Sequence, residues 1–155
     1  VSLQKPDVVY ALFNTNKASS TGFYRSENGG KDWKFMSEFR ALDWQYMGRL
    51  IPDPHEHDTV WIPDLGMVRT TDGGKTLKRL RWAVHADHHA LWIDPDRPRH
   101  MLAGNDGGLY ETFDAGELRQ GHHAARARIE GRAAGQPGGM GQLQQVADTP
   151  TRSHG

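Results

Sequence analysis

Cysteine is absent from this 155-residue chain, which excludes disulfides and thiolate metal sites but leaves the compartment open. No apolar run is long enough to cross a bilayer as a helix, so no membrane span is assigned. Neither charge is in excess: 19 Lys and Arg balance 19 Asp and Glu, and that balance gives no reason to expect nucleic acid or an anionic membrane as partner. A helical period is missing from residues 1–113. No signal-peptide pattern opens the chain, which starts at Val1 already inside a repeat; an address segment removed from that end would leave the same picture. From Glu117 onward Phe, Trp, Tyr and Lys are missing too, and Gly, Ala, Arg and Gln dominate.

What the chain does have is a phrase said three times. Ser26-Glu27-Asn28-Gly29-Gly30-Lys31-Asp32-Trp33 returns as Thr70-Thr71-Asp72-Gly73-Gly74-Lys75-Thr76-Leu77, and again as Thr112-Phe113-Asp114-Ala115-Gly116-Glu117. The offsets are 44 and 42 residues (26 to 70, 70 to 112). Self-similarity at about forty residues marks a repeat architecture. The copies extend upstream, where Gly22-Phe23-Tyr24-Arg25 matches Gly66-Met67-Val68-Arg69 and Gly108-Leu109-Tyr110-Glu111, and Asp53-Pro54 is echoed by Asp94-Pro95.

Short runs rich in β-branched and aromatic residues fill the spaces: 8–13, 22–26, 46–51, 59–62, 67–70, 90–93 and 109–112, with a further strand near 77–80. Gly, Pro, Asn or Asp clusters bound most of them. Four short strands per forty-odd residues is the pattern of a β-propeller blade. The expected fold is therefore all-β, a partial propeller of two to three four-stranded blades, cut on both sides, over residues 1–117. The Asp-Pro pairs then fall in the turn after each innermost strand, where proline disturbs no ladder. Residues 118–155 are a low-complexity tail whose composition cannot bury enough apolar area to order itself. The repeat breaks in mid-phrase, with Leu118-Arg119 where Thr or Ser and then Trp should follow. The tail is thus either a disordered linker or the product of a shifted reading frame. Blades without neighbours expose apolar faces, so the chain alone is expected to be marginal or aggregation-prone.

The phrase resembles the Asp-box, or BNR repeat, with its Ser/Thr-x-Asp-x-Gly-x-Thr/Ser-Trp pattern. Asn28 and Asp32 depart from it in the first copy, Leu77 in the second, and the third loses its last two positions. Its residues have local work to do. An Asp or Asn (Asn28, Asp72, Asp114) can accept hydrogen bonds from turn N–H groups, and Gly30, Gly74 and Gly116 can take positive φ without a Cβ penalty. The hydroxyls of Ser26, Thr70 and Thr112 can satisfy other turn groups, and Trp33 should cover its turn. Catalytic carboxylates or calcium ligands would need no third copy, so the series is read as hairpin staples.

The second constellation is Val84-His85-Ala86-Asp87-His88-His89-Ala90-Leu91-Trp92-Ile93. If this run is extended, alternation puts His85, Asp87 and His89 on one face and His88 on the other. Imidazole and carboxylate together suit a hydrogen-bonded hub, a ligand contact or a metal. In Asn105-Asp106-Gly107-Gly108, Asp106 lies 42 residues after Asp64 (64 to 106), at the same blade position. Both are read as turn residues or, alternatively, as acids projecting from one face. His85, Asp87, His88, His89, Asn105 and Asp106 are the candidate ligand-binding residues, with no catalytic residue, metal or cofactor assigned. His55 and His57 read as solvated. Of Trp44, Tyr46, Trp61, Trp82 and Trp92, packing between blades accounts for most, a sugar-stacking platform being the alternative.

Residues 84–116 above all resemble large bacterial BNR-repeat propeller proteins carrying a domain similar to the sortilin N-terminal domain. They are similar, more distantly, to xyloglucanase-type glycoside hydrolases. The resemblance implies a secreted or periplasmic protein, usually much longer, binding a protein, peptide or polysaccharide ligand without nucleic acid. No motif of paired catalytic acids matches residue by residue, so the leading expectation is a binding module and the alternative a hydrolase fragment.

Overall fold

The computed structural model describes residues 1–17, 20–41, 49–82 and 84–116. The expected strand at 46–51, half of whose residues precede 49, and the tail at 118–155 lie wholly or partly outside them. The described residues are all-β, in three antiparallel sheets. The first holds β1 (Val9–Phe13), β2 (Gly22–Ser26) and β3 (Lys34–Glu38); the second β4 (Ile51–Pro52), β5 (Val60–Ile62), β6 (Val68–Thr70) and β7 (Lys78–Arg79); the third β8 (His88–Ile93), β9 (Met101–Asn105) and β10 (Gly108–Thr112). Each sheet is a meander of neighbouring strands, as a partial propeller requires. The repeated turn follows β2, β6 and β10, so these three strands hold one blade position. Pro52 sits on the edge strand β4, where its missing N–H breaks no ladder.

Alternation along the middle sheet builds two cores. Val60, Ile62 and Val68 join Val8, Tyr10 and Phe23 of the first sheet in one cluster. Trp61 and Met67, on the opposite face, join Leu91, Ile93, Met101 and Ala103 of the third. β5 is buried on both faces, and its three residues are apolar for that reason. The sheets thus stack face to face in chain order.

The residue opening the turn before β1, β5 and β9 is also repeated. Ser2, Asp53 and Asp94 each donate their backbone N–H to the residue six on (Val8, Thr59 and His100) at 2.9 to 3.0 Å. Asp53 Oδ1 accepts the N–H groups of His55 and Glu56, and Asp94 Oδ1 those of Asp96 and Arg97. The second carboxylate oxygen differs between sheets: Asp53 Oδ2 takes the Trp61 indole N–H at 2.9 Å, and Asp94 Oδ2 takes His100 Nδ1 at 2.7 Å.

The expectation that His55 and His57 are solvated is corrected here. His55 Nε2 lies 2.7 Å from the Asp94 carbonyl in the third sheet, and His57 Nδ1 3.3 Å from Ser2 Oγ in the first. One turn of the middle sheet therefore ties both neighbours.

Candidate functional site

The three repeated turns have one hydrogen-bond pattern. In the second, the Thr70 hydroxyl donates to Asp72 Oδ1 at 2.9 Å and accepts the Gly74 N–H at 2.9 Å. Asp72 also accepts the Thr76 N–H (2.9 Å) and hydroxyl (2.7 Å). Burial pushes its carboxyl up, but the bonds from Thr76, Thr70 and Lys75 outweigh that and hold it below the usual value. In the third, the Thr112 hydroxyl donates to Asp114 Oδ1 and accepts the Gly116 N–H at 3.0 Å. In the first, Ser26 Oγ donates to Asn28 Oδ1 at 3.0 Å and accepts the Gly30 N–H at 2.9 Å. Positive φ falls at Gly29 and Gly30, Gly73 and Gly74, Ala115 and Gly116.

The two departures in the first copy compensate each other. Asn28 Nδ2 donates to Asp32 Oδ2 at 2.8 Å, where in the second copy the Thr76 hydroxyl donates to the Asp72 carboxylate. Donor and acceptor have exchanged positions and the bridge is kept.

These turns are joined to the frame rather than open to a ligand. Gly29, Gly73 and Ala115 donate their N–H groups at 2.9 Å to the carbonyls of Asp7, Asp58 and Arg99, which precede β1, β5 and β9. Ser37 Oγ donates to the Gly74 carbonyl across the first two sheets at 2.6 Å. Trp33 stands over Gly30 and meets Phe13 edge-on at 6.3 Å. A groove of about 280 Å³ lies along the first turn, lined in part by Arg25, Asn28, Trp33 and Met36. It is at the lower limit for ligand sites and lies at the end of the stack away from the histidine run.

The histidine run occupies that other end. His88 opens β8 opposite Asn105, which in turn pairs with Gly108. The N–H groups of Asp87 and His88 reach the Leu65 and Asp64 carbonyls at 3.1 and 3.0 Å, docking the run on the β5–β6 turn of the preceding sheet. Asn105 Nδ2 donates to the His85 carbonyl at 3.0 Å, and Asn105 Oδ1 accepts the Gly107 N–H at 2.9 Å. His89 Nε2 lies 2.7 Å from Asp106 Oδ1, with both side chains about half exposed. His85, Asp87, His88, His89, Asn105 and Asp106 are thus brought to one end of the third sheet.

The extended alternation does not hold. Asp87 has φ of 59° and the register shifts between His88 and Ala90, so His89 and Ala90 are both exposed in succession. His88 is buried to 2% exposure, edge-on to Trp82 at 5.6 Å, with no partner for Nδ1 among the described residues. Burial pushes its pKa down and keeps the ring neutral. Asp64 and Asp106, despite their shared position, have different surroundings. Asp64 is wholly buried with Arg79 Nη2 at 2.9 Å, whereas Asp106 faces solvent. Among the described residues no group of three His, Cys, Asp or Glu is placed to hold a metal ion.

Sequence reasoning missed His100. Its Nδ1 lies 2.7 Å from Asp94 Oδ2 and its Nε2 2.7 Å from Glu111 Oε1, while the ring stacks on Phe113 at 4.7 Å. The Asp94 bond, against the cost of burial and with help from Glu111, raises its pKa, and Asp94 is held well below the usual carboxylate range. Both ring nitrogens are engaged, so the ring clamps the start of β9 to β10 and leaves no free nitrogen to act as a base. A signal existed: Glu111 stands where the other copies have Arg25 and Arg69.

No protein-family model matches the chain, and no curated protein does. Among solved structures 16 chains match, including the crystal structure of an ancestral GH74 enzyme at 14% identity with a TM-score of 0.51. The match covers 73% of this chain and 17% of that enzyme, so the chain spans about a sixth of its relative's length. At that identity the likeness concerns the fold, and it agrees with the three stacked sheets in giving a β-propeller architecture.

Proposed function

We propose that these sheets belong to a propeller of the BNR-repeat, sortilin-like kind that binds a protein or glycan ligand without catalysing a reaction. The ligand would sit at the end where β8 begins and the β9–β10 turn closes. The observation that carries this reading is the half-exposed His89–Asp106 pair beside the bound backbone of His85–His88. It offers donor and acceptor groups already held in place, which lowers the ordering cost of binding. Such a protein acts outside the cytoplasm, consistent with the family resemblance. The repeated turns take no part, because their carboxylates are occupied by their own hairpins.

A second reading, a glycoside hydrolase fragment of the xyloglucanase type, draws support from the GH74 neighbour. It needs two carboxylates about 5–10 Å apart across a cleft. Of the acids at this end, Asp64 is buried and ion-paired, Asp106 is bonded to His89 and Asp87 lies in the same short run as His89, so an acid facing them across a cleft would come from other blades. Calorimetric titration with xyloglucan oligosaccharides and with a peptide library, using the wild type, His89→Ala and Asp106→Asn, separates the outcomes. Binding weakened on the order of tenfold in both variants, without release of reducing sugar, is expected for a binding module. Reducing-sugar release favours the hydrolase. Unchanged binding in both variants removes this end of the stack as the site.

A further inference from the structure

Asn28 is the one asparagine of the chain that is followed by glycine; Asn14, Asn16 and Asn105 precede Thr15, Lys17 and Asp106. An asparagine in that setting can be attacked at its side-chain carbonyl carbon by the backbone nitrogen of the next residue. Glycine puts no Cβ in the way, and at Gly29 nothing lies within 4 Å of where a Cβ would stand. A bond from the Gly29 nitrogen to the Asn28 carbonyl carbon closes a cyclic imide. The bond to the side-chain nitrogen breaks, and that nitrogen leaves as ammonia with the proton of the Gly29 amide. Water then opens the imide at either carbonyl, giving aspartate or isoaspartate at position 28. The other two turns give this chemistry a poorer start. Asp72 precedes Gly73, but its carboxyl is held ionised by its own turn and has no neutral leaving group; Asp114 precedes Ala115.

In the folded turn both reacting groups are held. The Gly29 N–H, whose proton must be lost, donates to the Asp7 carbonyl at 2.9 Å. Asn28 Oδ1 accepts the Ser26 hydroxyl and the Asp32 N–H, each at 3.0 Å, and Nδ2 donates to Asp32 Oδ2 at 2.8 Å. Bringing the carboxamide carbon onto the Gly29 nitrogen means giving these bonds up. Asn28 and Gly29 are both exposed, so water and base reach them as soon as the bonds open.

We infer that Asn28 is a deamidation site gated by the opening of the first repeated turn. Closed, the turn protects the amide; open, it loses ammonia. The product then keeps the turn from closing well. An aspartate at 28 faces Asp32 where an amide donated, and an isoaspartate adds a methylene to the backbone that spaces Ser26, Asn28 and Gly30. Because the loss of ammonia is not reversed, the first sheet accumulates a record of how often its turn has opened.

The test follows the full 155-residue chain at one mildly alkaline pH, in buffer and in urea. Mass spectrometry of the peptide containing Asn28 reads the reaction, and chromatography separates the aspartyl and isoaspartyl products. In buffer the reaction is expected to run slower than in urea by on the order of tenfold or more, the factor being set by how rarely the turn opens. Ser26→Ala removes the hydroxyl bonded to Asn28 Oδ1 and to the Gly30 N–H. It is expected to raise the rate in buffer several-fold and to leave the rate in urea unaltered. Ser26→Thr keeps a hydroxyl, as Thr70 and Thr112 do in the other copies, and is expected to keep the slow rate. Far-UV circular dichroism establishes that each variant is folded; should Ser26→Ala unfold the chain, Asp32→Ala, which frees Nδ2, takes its place. Equal rates for the wild type in buffer and urea overturn the inference. So does a folded Ser26→Ala or Asp32→Ala variant that reacts no faster than the wild type in buffer.

Discussion

The exchange of donor and acceptor in the first repeated turn gives a sharp test of how these turns are built. Asn28→Asp alone would set two carboxylates against each other where an amide now donates to Asp32 Oδ2 at 2.8 Å. A hydrogen bond to a charged group contributes about 1.5–3 kcal/mol when shielded, but this pair is exposed and is discounted toward about 1 kcal/mol. Repulsion between two exposed charges at such a separation adds about 1 kcal/mol more. The expected loss for Asn28→Asp is therefore about 1–2 kcal/mol. Asp32→Thr alone keeps an acceptor for the Asn28 amide and is expected to cost about 0.5 kcal/mol. The double variant reproduces the Asp72–Thr76 arrangement and should return close to the starting stability. Urea unfolding midpoints for the four proteins form a double-mutant cycle with a favourable coupling of about 1.5–2.5 kcal/mol. A neutral Asn28→Asp, or a double variant no better than the single one, would show that the bridge is not what fixes these two positions.

Glycine substitutions should separate conformation from contact. Gly29→Ala meets only its φ of 69°, with nothing within 4 Å of a new Cβ, and is expected to cost about 1 kcal/mol. Gly74→Ala combines a φ of 97° with overlap on the Phe23 ring and is expected to cost about 3 kcal/mol or more; thermal melts compare the two. His100 should impose a pH dependence. Its pKa is higher folded than the unfolded value of about 6.5, so its contribution is complete below that value and lost as pH rises through the folded one. His100→Gln should flatten the fall in urea midpoint that sets in as pH rises above about 6.5 and lower stability below it; an unaltered slope would place the titration elsewhere.

Much of the fold was legible because the turn chemistry is local. The hydroxyl, the Asp or Asn and the glycines bond within eight residues of each other, and they fixed where β2, β6 and β10 end. β3 and β9 carried weaker signals. Lys34–Glu38 holds two apolar residues among charged and polar ones, and Met101–Asn105 includes Ala103 and Gly104. Their strand state comes from the partners beside them. The histidine run was found as a cluster, but its geometry was not. The turn at Asp87 and the bulge at His89 follow from backbone bonds to Asp64 and Leu65 in another blade, which no local pattern encodes. The bridging roles of His55 and His57 depend on neighbouring turns in the same way, and so does the His100 clamp.

The account rests on three sheets stacked in chain order, with β5 presenting alternate residues to opposite neighbours. Nuclear Overhauser contacts from two adjacent residues test this most directly. Trp61 ring protons should contact the Leu91, Ile93 and Met101 side chains of the third sheet, and Ile62 methyls those of Tyr10 and Phe23 in the first. Contacts from both residues to the same sheet, or from neither to any other sheet, would contradict the stacking and with it the propeller.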